Sequence, residues 1–398
     1  MLAVIAAVAG LGYEQLSRPL PAWAESLVML SPAQPAGPGF TWPSVRESAV
    51  AVSGLPGAWD SGAQDEVPIA SVTKMMTAYL VLRDHPLAGT DDGPAITVTA
   101  ADASLYQSDV ANGDSVAAVA AGESLTEREA LEGLMLPSAD NIAAMLADWD
   151  AGSTSSFLAK MNAEAKALGM NHTDYTDPSG LAASTVSTAH DQLILVQKAM
   201  ALPAFAAIVG LQSAVIPVAG TVTNFNYDVG KDGVIGVKTG SDTAAQGCWA
   251  FAAQRVIGGT EHVVYGVVLG ASAAGGSNAT PALVNAALTS GVSLADQAPT
   301  VIRKVTVLPA GTLVARIWVP WSKTPVAVVT ARALTGLEVP GTTISVHVTE
   351  AAARSSFTAG QQVGEASVTG LTGGTSSTDL VTEGASGTPS LMWRLLHH

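Results

Sequence analysis

The sequence predicts an α/β (α+β) domain that carries a helical subdomain, followed by a small all-β domain. Two patterns and one balance of composition point there. Strand-type runs stand before and after a block of amphipathic helices, the order expected when helices are inserted into an α/β region. From about residue 300 the pattern changes to short β-type runs separated by Gly, Pro and Thr, the punctuation of a small sandwich or barrel. The chain has 398 residues, 48% hydrophobic and only 13% charged, which supplies ample core for two or three domains and rules out bulk disorder.

In chain order, residues 1–12 (MLAVIAAVAGLG) form an uncharged apolar run closed by Glu14. The run is shorter than the roughly 20 residues of a bilayer span and matches the apolar part of a secretory signal, although no basic residue precedes it. It is expected to export or anchor the protein at the membrane. Residues 17–39 are proline-rich and suit an extended spacer. Residues 44–55 (SVRESAVAVSGL) read as a strand. Residues 71–83 (SVTKMMTAYLVLR) read as a helix, with apolar side chains at Val72, Met75, Met76, Tyr79, Leu80 and Leu82. Thr126 and Glu129 fit a capping box at the start of another helix. Pro137 breaks that helix, and a second resumes at Asn141. Residues 153–168 form an amphipathic helix closed by Gly169.

The Val-rich segments 234–238, 247–254 and 262–269 read as adjoining strands. Further β-type runs cover 305–308, 312–319, 326–331, 344–349 and 362–368, and the Gly/Ser/Thr-rich residues 371–389 read as loop. The expected layout is a leader and spacer over 1–39, a catalytic domain over 40–297 and a β-rich domain over 298–398. No span-length apolar run stands at 390–398, so no transmembrane anchor is expected there.

The net charge of −15 makes nucleic acid an unsuitable partner, because phosphate binding needs a basic surface. Cys248 is the single cysteine, so neither an internal disulfide framework nor a Cys-based zinc cluster is available. It reads as a small core residue. The seven His show no HExxH spacing and no Gly-rich phosphate loop is present, so no metal or nucleotide cofactor is expected.

The chemistry concentrates in three motifs. Of eight lysines, only Lys74 has a serine three positions earlier (Ser71-Val72-Thr73-Lys74), and only Lys238 opens a Lys-Thr-Gly triplet (Lys238-Thr239-Gly240). Ser138-Ala139-Asp140-Asn141 lies between them. On a helix, positions i and i+3 share a face, so Ser71 Oγ and Lys74 Nζ can meet. Ser71 also sits at a helix start, where free N–H groups favour developing negative charge. A serine hydroxyl needs a base. An ordinary lysine, with a pKa near 10.4, must lose roughly 4 kcal/mol of preference for its charged form to act as one at pH 7. Burial and a nearby cation supply effects of that order, and Lys238 is the candidate cation. Lys238-Thr239 at a strand end can present a charge and a hydroxyl to a substrate carboxylate, and Gly240 permits close approach.

These motifs resemble the signature set of penicillin-binding proteins and serine β-lactamases. The fuller match is to the low-molecular-weight penicillin-binding proteins, the serine-type D-alanyl-D-alanine carboxypeptidases of peptidase family S11. It runs from about Ser48 to Leu269 and includes residues 70–78, 161–170 and 177–181, Ser187-Thr188-Ala189, Thr223-Asn224 and 237–240. The resemblance implies a transpeptidase/β-lactamase-like domain, a peptidoglycan stem peptide ending in D-Ala-D-Ala as substrate, β-lactams as inhibitors, and a place in the bacterial cell envelope outside the cytoplasm. It also implies roles. Ser71 attacks the carbonyl between the terminal D-alanines, Lys74 takes its proton, and Ser138 relays a proton to the leaving group. Lys238 and Thr239 hold the carboxylate, and the Ser71 and Ser241 amides bind the oxyanion.

One departure is plain: the family's middle motif is usually Ser-x-Asn, and here Asp140 takes the third place with Asn141 next. An ionised Asp cannot donate to a carbonyl. Either Asn141 fills the role through a shifted turn or Asp140 bonds a backbone amide. The family's carboxylate-binding arginine has no clear counterpart beyond Arg255, by position. A serine β-lactamase and a non-catalytic wall-binding relative are the alternatives. Glu164 is the only glutamate between Asp140 and Ala189 and has Leu168, not Asn, four residues on, which speaks against a class A lactamase.

Overall fold

The computed structural model describes residues 11–20, 24–28, 34, 35, 37, 39–62, 64–350 and 356–397. The chain divides into two compact units, residues 40–300 and residues 1–39 with 301–398. Most of the apolar run expected to export or anchor the protein, residues 1–10, lies outside the described residues; residues 11–17 are helical. Among the described residues no single helix is long and apolar enough to cross a membrane.

The unit of residues 40–300 is built on one antiparallel sheet. Its strands are β1 (Glu47–Val52), β2 (Trp59–Asp60), β3 (Val234–Asp242), β4 (Gln246–Ile257) and β5 (Thr260–Ala271), in the order β3-β4-β5-β1-β2. The strands therefore come from the two ends of the unit's sequence, with the helices between them. The central strands are apolar almost throughout because both faces are covered. Helix α6 (Ala189–Met200) packs on β5 and β1. On β4, α7 (Thr280–Val301) comes close enough that a Cβ on Gly291 would meet Trp249 at 2.4 Å. Strand β3, at the sheet edge, carries the Lys-Thr-Gly triplet, with Lys238 opposite Ala250.

The helical part is arranged around α1 (Lys74–Asp84), most of whose residues are buried; a helix apolar nearly all round belongs in a core. It packs against α3 (Glu127–Met135), α4 (Asp140–Ala151) and α6. A 3₁₀ turn, Ala70–Thr73, leads into it, so the segment read as one helix from Ser71 is a tight turn followed by an α-helix. The capping box at Thr126 is formed, with Thr126 N donating to Glu129 at 2.8 Å and Glu129 N to Thr126 at 3.2 Å. Beyond it α4 begins at Asp140. Helix α5 (Thr154–Leu168) is capped by Ser153 and closed by Gly169 in the left-handed region. Helix α2 (Ala100–Asn112) packs on α4 but keeps mostly exposed residues.

The other unit is all-β apart from short helical pieces. Arg303–Leu308, Leu334–Glu338 and Leu371–Thr375 form a three-stranded sheet. Leu313–Trp318, Val326–Thr330, Thr343–Glu350, Gln362–Thr369 and Ser377–Thr382 belong to a seven-stranded one. Two readings from the sequence change here. Residues 371–389 are not all loop: the alternation in STDLVT makes a paired strand despite its Gly/Ser/Thr surroundings. Two stretches of the supposed spacer, Ala24–Leu27 and Gln34–Pro35, are short strands added to the larger sheet. Pro35 is tolerated because its strand lies at the sheet edge.

One cross-strand pair tests how the first sheet is packed. The Phe251 ring lies over Gly266, where a Cβ would meet it at 2.2 Å. Gly266→Ala is expected to destabilise this unit by about 1–3 kcal/mol, the usual cost of overpacking. Urea unfolding followed by tryptophan fluorescence measures it; unchanged stability would mean the ring is free to move.

Candidate active site

Lys74 begins α1 one helical turn after Ser71 and is completely buried. Its Nζ donates to Ser71 Oγ at 2.9 Å, to Asp140 Oδ1 at 2.6 Å and to the Ser179 carbonyl at 2.9 Å. The i, i+3 spacing thus brings hydroxyl and amine together, and an acidic partner from α4 and a carbonyl from a distant loop complete the set.

Ser71 is half-buried and lies in the 3₁₀ turn, whose first residue, Ala70, has φ +46°. A non-glycine residue there is uncommon, and such strain clusters at functional sites. The turn is wedged between two glycines. A Cβ on Gly240 would stand 2.9 Å from Ser71 N and 3.1 Å from Val72 N, and one on Gly180 would stand 1.8 Å from the Ala70 carbonyl oxygen. Gly240 is therefore where edge strand β3 comes against the Ser71 backbone amide.

Ser138 occupies the break between α3 and α4 with φ +65°. It is buried, and its Oγ has no hydrogen-bond partner among the described residues. Asp140 follows as the first residue of α4. Its Oδ1 pairs with Lys74 and its Oδ2 accepts from Ser115 N at 3.2 Å, so of the two arrangements open from the sequence, Asp140 is the one that bonds a backbone amide. Asn141 is buried and committed elsewhere: its Oδ1 accepts from Ala117 N at 3.1 Å and its Nδ2 donates to Ala117 O at 2.9 Å. The side chain meant for a shifted turn is used up in pinning the 115–117 segment.

On β3, Lys238 and Thr239 are both buried, and Lys238 Nζ donates to the Thr239 carbonyl at 2.9 Å. Burial, and then the charge of Lys74, hold the Lys238 amine well below the ordinary lysine range, with Asp140 pulling the other way. Lys238, the cation expected to face Lys74, therefore carries a burial cost for its charge, while Lys74 has the Asp140 carboxylate in contact. Ser241, half-buried, follows Gly240 and lies opposite Gly247.

A second support was invisible as motif chemistry. Asp177 Oδ2 accepts from Ser179 N, Ser179 Oγ, Gly180 N and Leu181 N, and its Oδ1 accepts from Thr185 Oγ1. This holds the 177–181 loop so that the Ser179 carbonyl reaches Lys74 and the Pro178 carbonyl accepts from Thr77 at 2.6 Å. The sequence signal was the Asp-Pro-Ser-Gly run, a turn in which an Asp side chain bonds the backbone ahead of it.

Three other residues stand apart. Arg255 gives its guanidinium to Asp296 and to the Asp232 and Gln254 carbonyls. It lies five residues along β4 from Ala250, the partner of Lys238, roughly 17 Å at about 3.3 Å per residue, and so is no carboxylate ligand. Glu164 is paired with Arg83. Cys248 is wholly buried in β4, and burial pushes its thiol up to about 12. Among the described residues no cluster of His, Cys, Asp and Glu could hold a metal ion.

Comparison with known proteins gives a consistent picture. The family model for D-alanyl-D-alanine carboxypeptidase, peptidase S11, matches residues 59–273. The chain is 35% identical over 214 residues to the D-alanyl-D-alanine carboxypeptidase DacB2 of Mycobacterium tuberculosis, covering 50% of this chain and 67% of that protein. A D-alanyl-D-alanine carboxypeptidase of Streptomyces sp. is 34% identical over 205 residues, 46% of this chain and 67% of the relative. Among solved structures, the Streptomyces K15 DD-transpeptidase superposes with a TM-score of 0.54 at 27% identity, over 65% of this chain and 98% of that one. The D-alanyl-D-alanine carboxypeptidase DacD of Francisella tularensis shares the fold over 88% of this chain and 96% of that one, with a TM-score of 0.59 at 20% identity.

The loop that aims the Ser179 carbonyl depends on one carboxylate. Asp177→Ala is expected to cost about 2–3 kcal/mol, since hydrogen bonds to a charged group are worth roughly 1.5–3 kcal/mol each and the freed amides partly regain water. Differential scanning calorimetry reads this as a fall in Tm of roughly 5 °C. An unchanged Tm would show that the loop is held by its other contacts.

Proposed function

The chain belongs to the S11 family of D-alanyl-D-alanine carboxypeptidases, and from that premise we propose that it removes the terminal D-alanine of peptidoglycan stem peptides through an acyl-enzyme on Ser71. The observation that carries this reading is the 2.9 Å contact between Lys74 Nζ and Ser71 Oγ at the foot of a buried helix. Lys74 is the amine within reach of the nucleophile, and in its neutral form it takes the hydroxyl proton as Oγ attacks the carbonyl carbon. The oxyanion is received by the backbone amides of Ser71 and Ser241, whose approach depends on Gly240. The proton then passes through Ser138 to the leaving nitrogen as the C–N bond breaks, the task for which an unpartnered hydroxyl between helices is suited. Water hydrolyses the ester.

Strand β3 supports a way of holding the peptide. As a sheet edge it offers unpaired backbone groups to an extended chain. Lys238 and Thr239 on it receive the terminal carboxylate, and the arriving negative charge favours the ammonium form of Lys238. Asp140 and Asn141 serve the site as supports: one holds Lys74, the other the 115–117 segment. Penicillin acylates the same serine, its strained amide standing in for the D-Ala-D-Ala bond. Such a substrate puts the enzyme at the cell wall, outside the cytoplasm, with residues 1–12 as the segment that exports or tethers it. The engagement of Glu164 with Arg83 gives no support to a class A lactamase.

Two variants test the mechanism. Ser71→Ala is expected to abolish D-alanine release from diacetyl-Lys-D-Ala-D-Ala and to leave no covalent adduct after penicillin exposure, read by intact-mass spectrometry; release retained in the variant would sink the acyl-enzyme. Gly240→Ala pushes a methyl group against the Ser71 amide and is expected to slow penicillin acylation by roughly 100-fold, the usual cost of losing one oxyanion donor. An acylation rate equal to that of the unaltered enzyme would remove Ser71 N from the oxyanion site.

A further inference from the structure

The third position of the middle motif is where this chain parts from Ser-x-Asn, and the structure gives that difference a consequence. An ammonium has three N–H donors, and Lys74 Nζ has three acceptors around it: Ser71 Oγ at 2.9 Å, Asp140 Oδ1 at 2.6 Å and the Ser179 carbonyl at 2.9 Å. The resting geometry is that of a fully satisfied cation. In it Ser71 Oγ accepts a hydrogen bond from Lys74 and has no base to which its own proton can go. A neutral amide at position 140 would offer the same lone pair without the charge.

We propose that Asp140 is a positioning residue that holds Lys74 as an ammonium in the resting enzyme and so sets the pH at which Ser71 becomes reactive. The proposal deepens the acyl-enzyme reading and rests on it. The proton balance is closed. One Nζ–H bond breaks and its proton goes to water. Ser71 Oγ–H then breaks as Oγ–C forms, the carbonyl π pair moves to oxygen, and the hydroxyl proton lands on Nζ. That proton leaves through Ser138 for the departing nitrogen, and Lys74 regains one from water when the cycle ends.

Asp140 is not the only charge near Lys74. Lys238 faces it from β3, and burial holds that amine well down, so its repulsion is weak at rest. Asp109 approaches from α2; its carboxyl is raised first by burial, then by Asp114 and Asp140. Asp177, in the 177–181 loop, spends its charge on five donors. Of these, Asp140 is the carboxylate in direct contact with the amine, and contact distance with almost no solvent decides the outcome: the two side chains are 0% and 9% exposed.

The test is the rate of penicillin acylation of the full chain from about pH 5 to pH 10, with the adduct mapped to Ser71. The rate of the unaltered enzyme should rise along an acid limb as Lys74 loses a proton. In Asp140→Asn the limb should move down by about one pH unit or more, the effect of losing one adjacent opposite charge. At a pH on that limb this is about a tenfold gain relative to the variant's own plateau. Asp140→Glu, which restores a carboxylate, should move the limb back toward its original place. If Asp140→Asn does not fold, Asp140→Ser carries the same expectation. A limb that stays put in the neutral variants, with Ser71 still acylated, overturns the proposal. So does a folded neutral variant that is acylated at no pH, since the carboxylate would then be required rather than restraining. Failure of the unaltered enzyme to form any adduct would instead overturn the acyl-enzyme reading, and this proposal with it.

Discussion

A buried ammonium needs an acceptor for each of its protons, and in this chain the acceptors of Lys74 come from three separate places. Ser71 lies one turn back on the same segment, Asp140 opens α4, and the Ser179 carbonyl belongs to a loop more than a hundred residues further on. Leaving such a charge buried with a partner missing costs several kcal/mol. The 3₁₀ turn, the α3–α4 break and the 177–181 loop therefore all meet at a single nitrogen, and the Thr77 bond to the Pro178 carbonyl and the packing of Gly180 on Ala70 add to the tie between turn and loop. The pair is poor evidence of net stability, because desolvation takes back most of the Coulomb gain. What it provides is register among three elements that meet nowhere else in sequence.

The backbone around that nitrogen is held in conformations it would not choose alone. Ala70 and Ser138 both lie at positive φ, at a cost of order 1–3 kcal/mol each. One precedes Ser71, the proposed nucleophile, and the other is Ser138, the proposed proton relay. Gly180 and Gly240 accept the turn between them only because neither has a Cβ. The strain is sustained by the packed helices on one side and by the sheet on the other, where Phe251 and Gly266 interlock across β4 and β5.

Much of this was legible in the sequence, for reasons that can be named. Helix periodicity, a capping box and a breaking proline located α1, α3 and α4, because those signals depend on neighbours within a few residues. The union of Ser71 with Lys74 followed from i, i+3 geometry. Helix α2 has no apolar stripe to announce it; its signals are only at its ends, a capping box from Thr99 to Asp102 and Gly113 in the left-handed region. The strands at 371–375 and 377–382 were hidden by Gly, Ser and Thr, residues whose pairing is decided by a partner strand far away in sequence. The work of Asp177 and of the Ser179 carbonyl was out of reach for a related reason: a backbone carbonyl has no sequence signature, and its target lies 105 residues away.

Where charge is favoured between two buried lysines is the part the order of motifs does not give. It depends on which amine has a carboxylate in contact. Asp140 stands against Lys74, while among the described residues the Lys238 amine donates to the carbonyl of its own neighbour, so burial presses the cost of charge onto Lys238. In the proposed mechanism a peptide carboxylate arriving at β3 supplies what Lys238 lacks. Its negative charge would favour a proton there, and a charged Lys238 would in turn weaken the hold of Asp140 on Lys74. On that reading, binding of the substrate's end group and release of the base draw on one electrostatic balance, shared among three side chains.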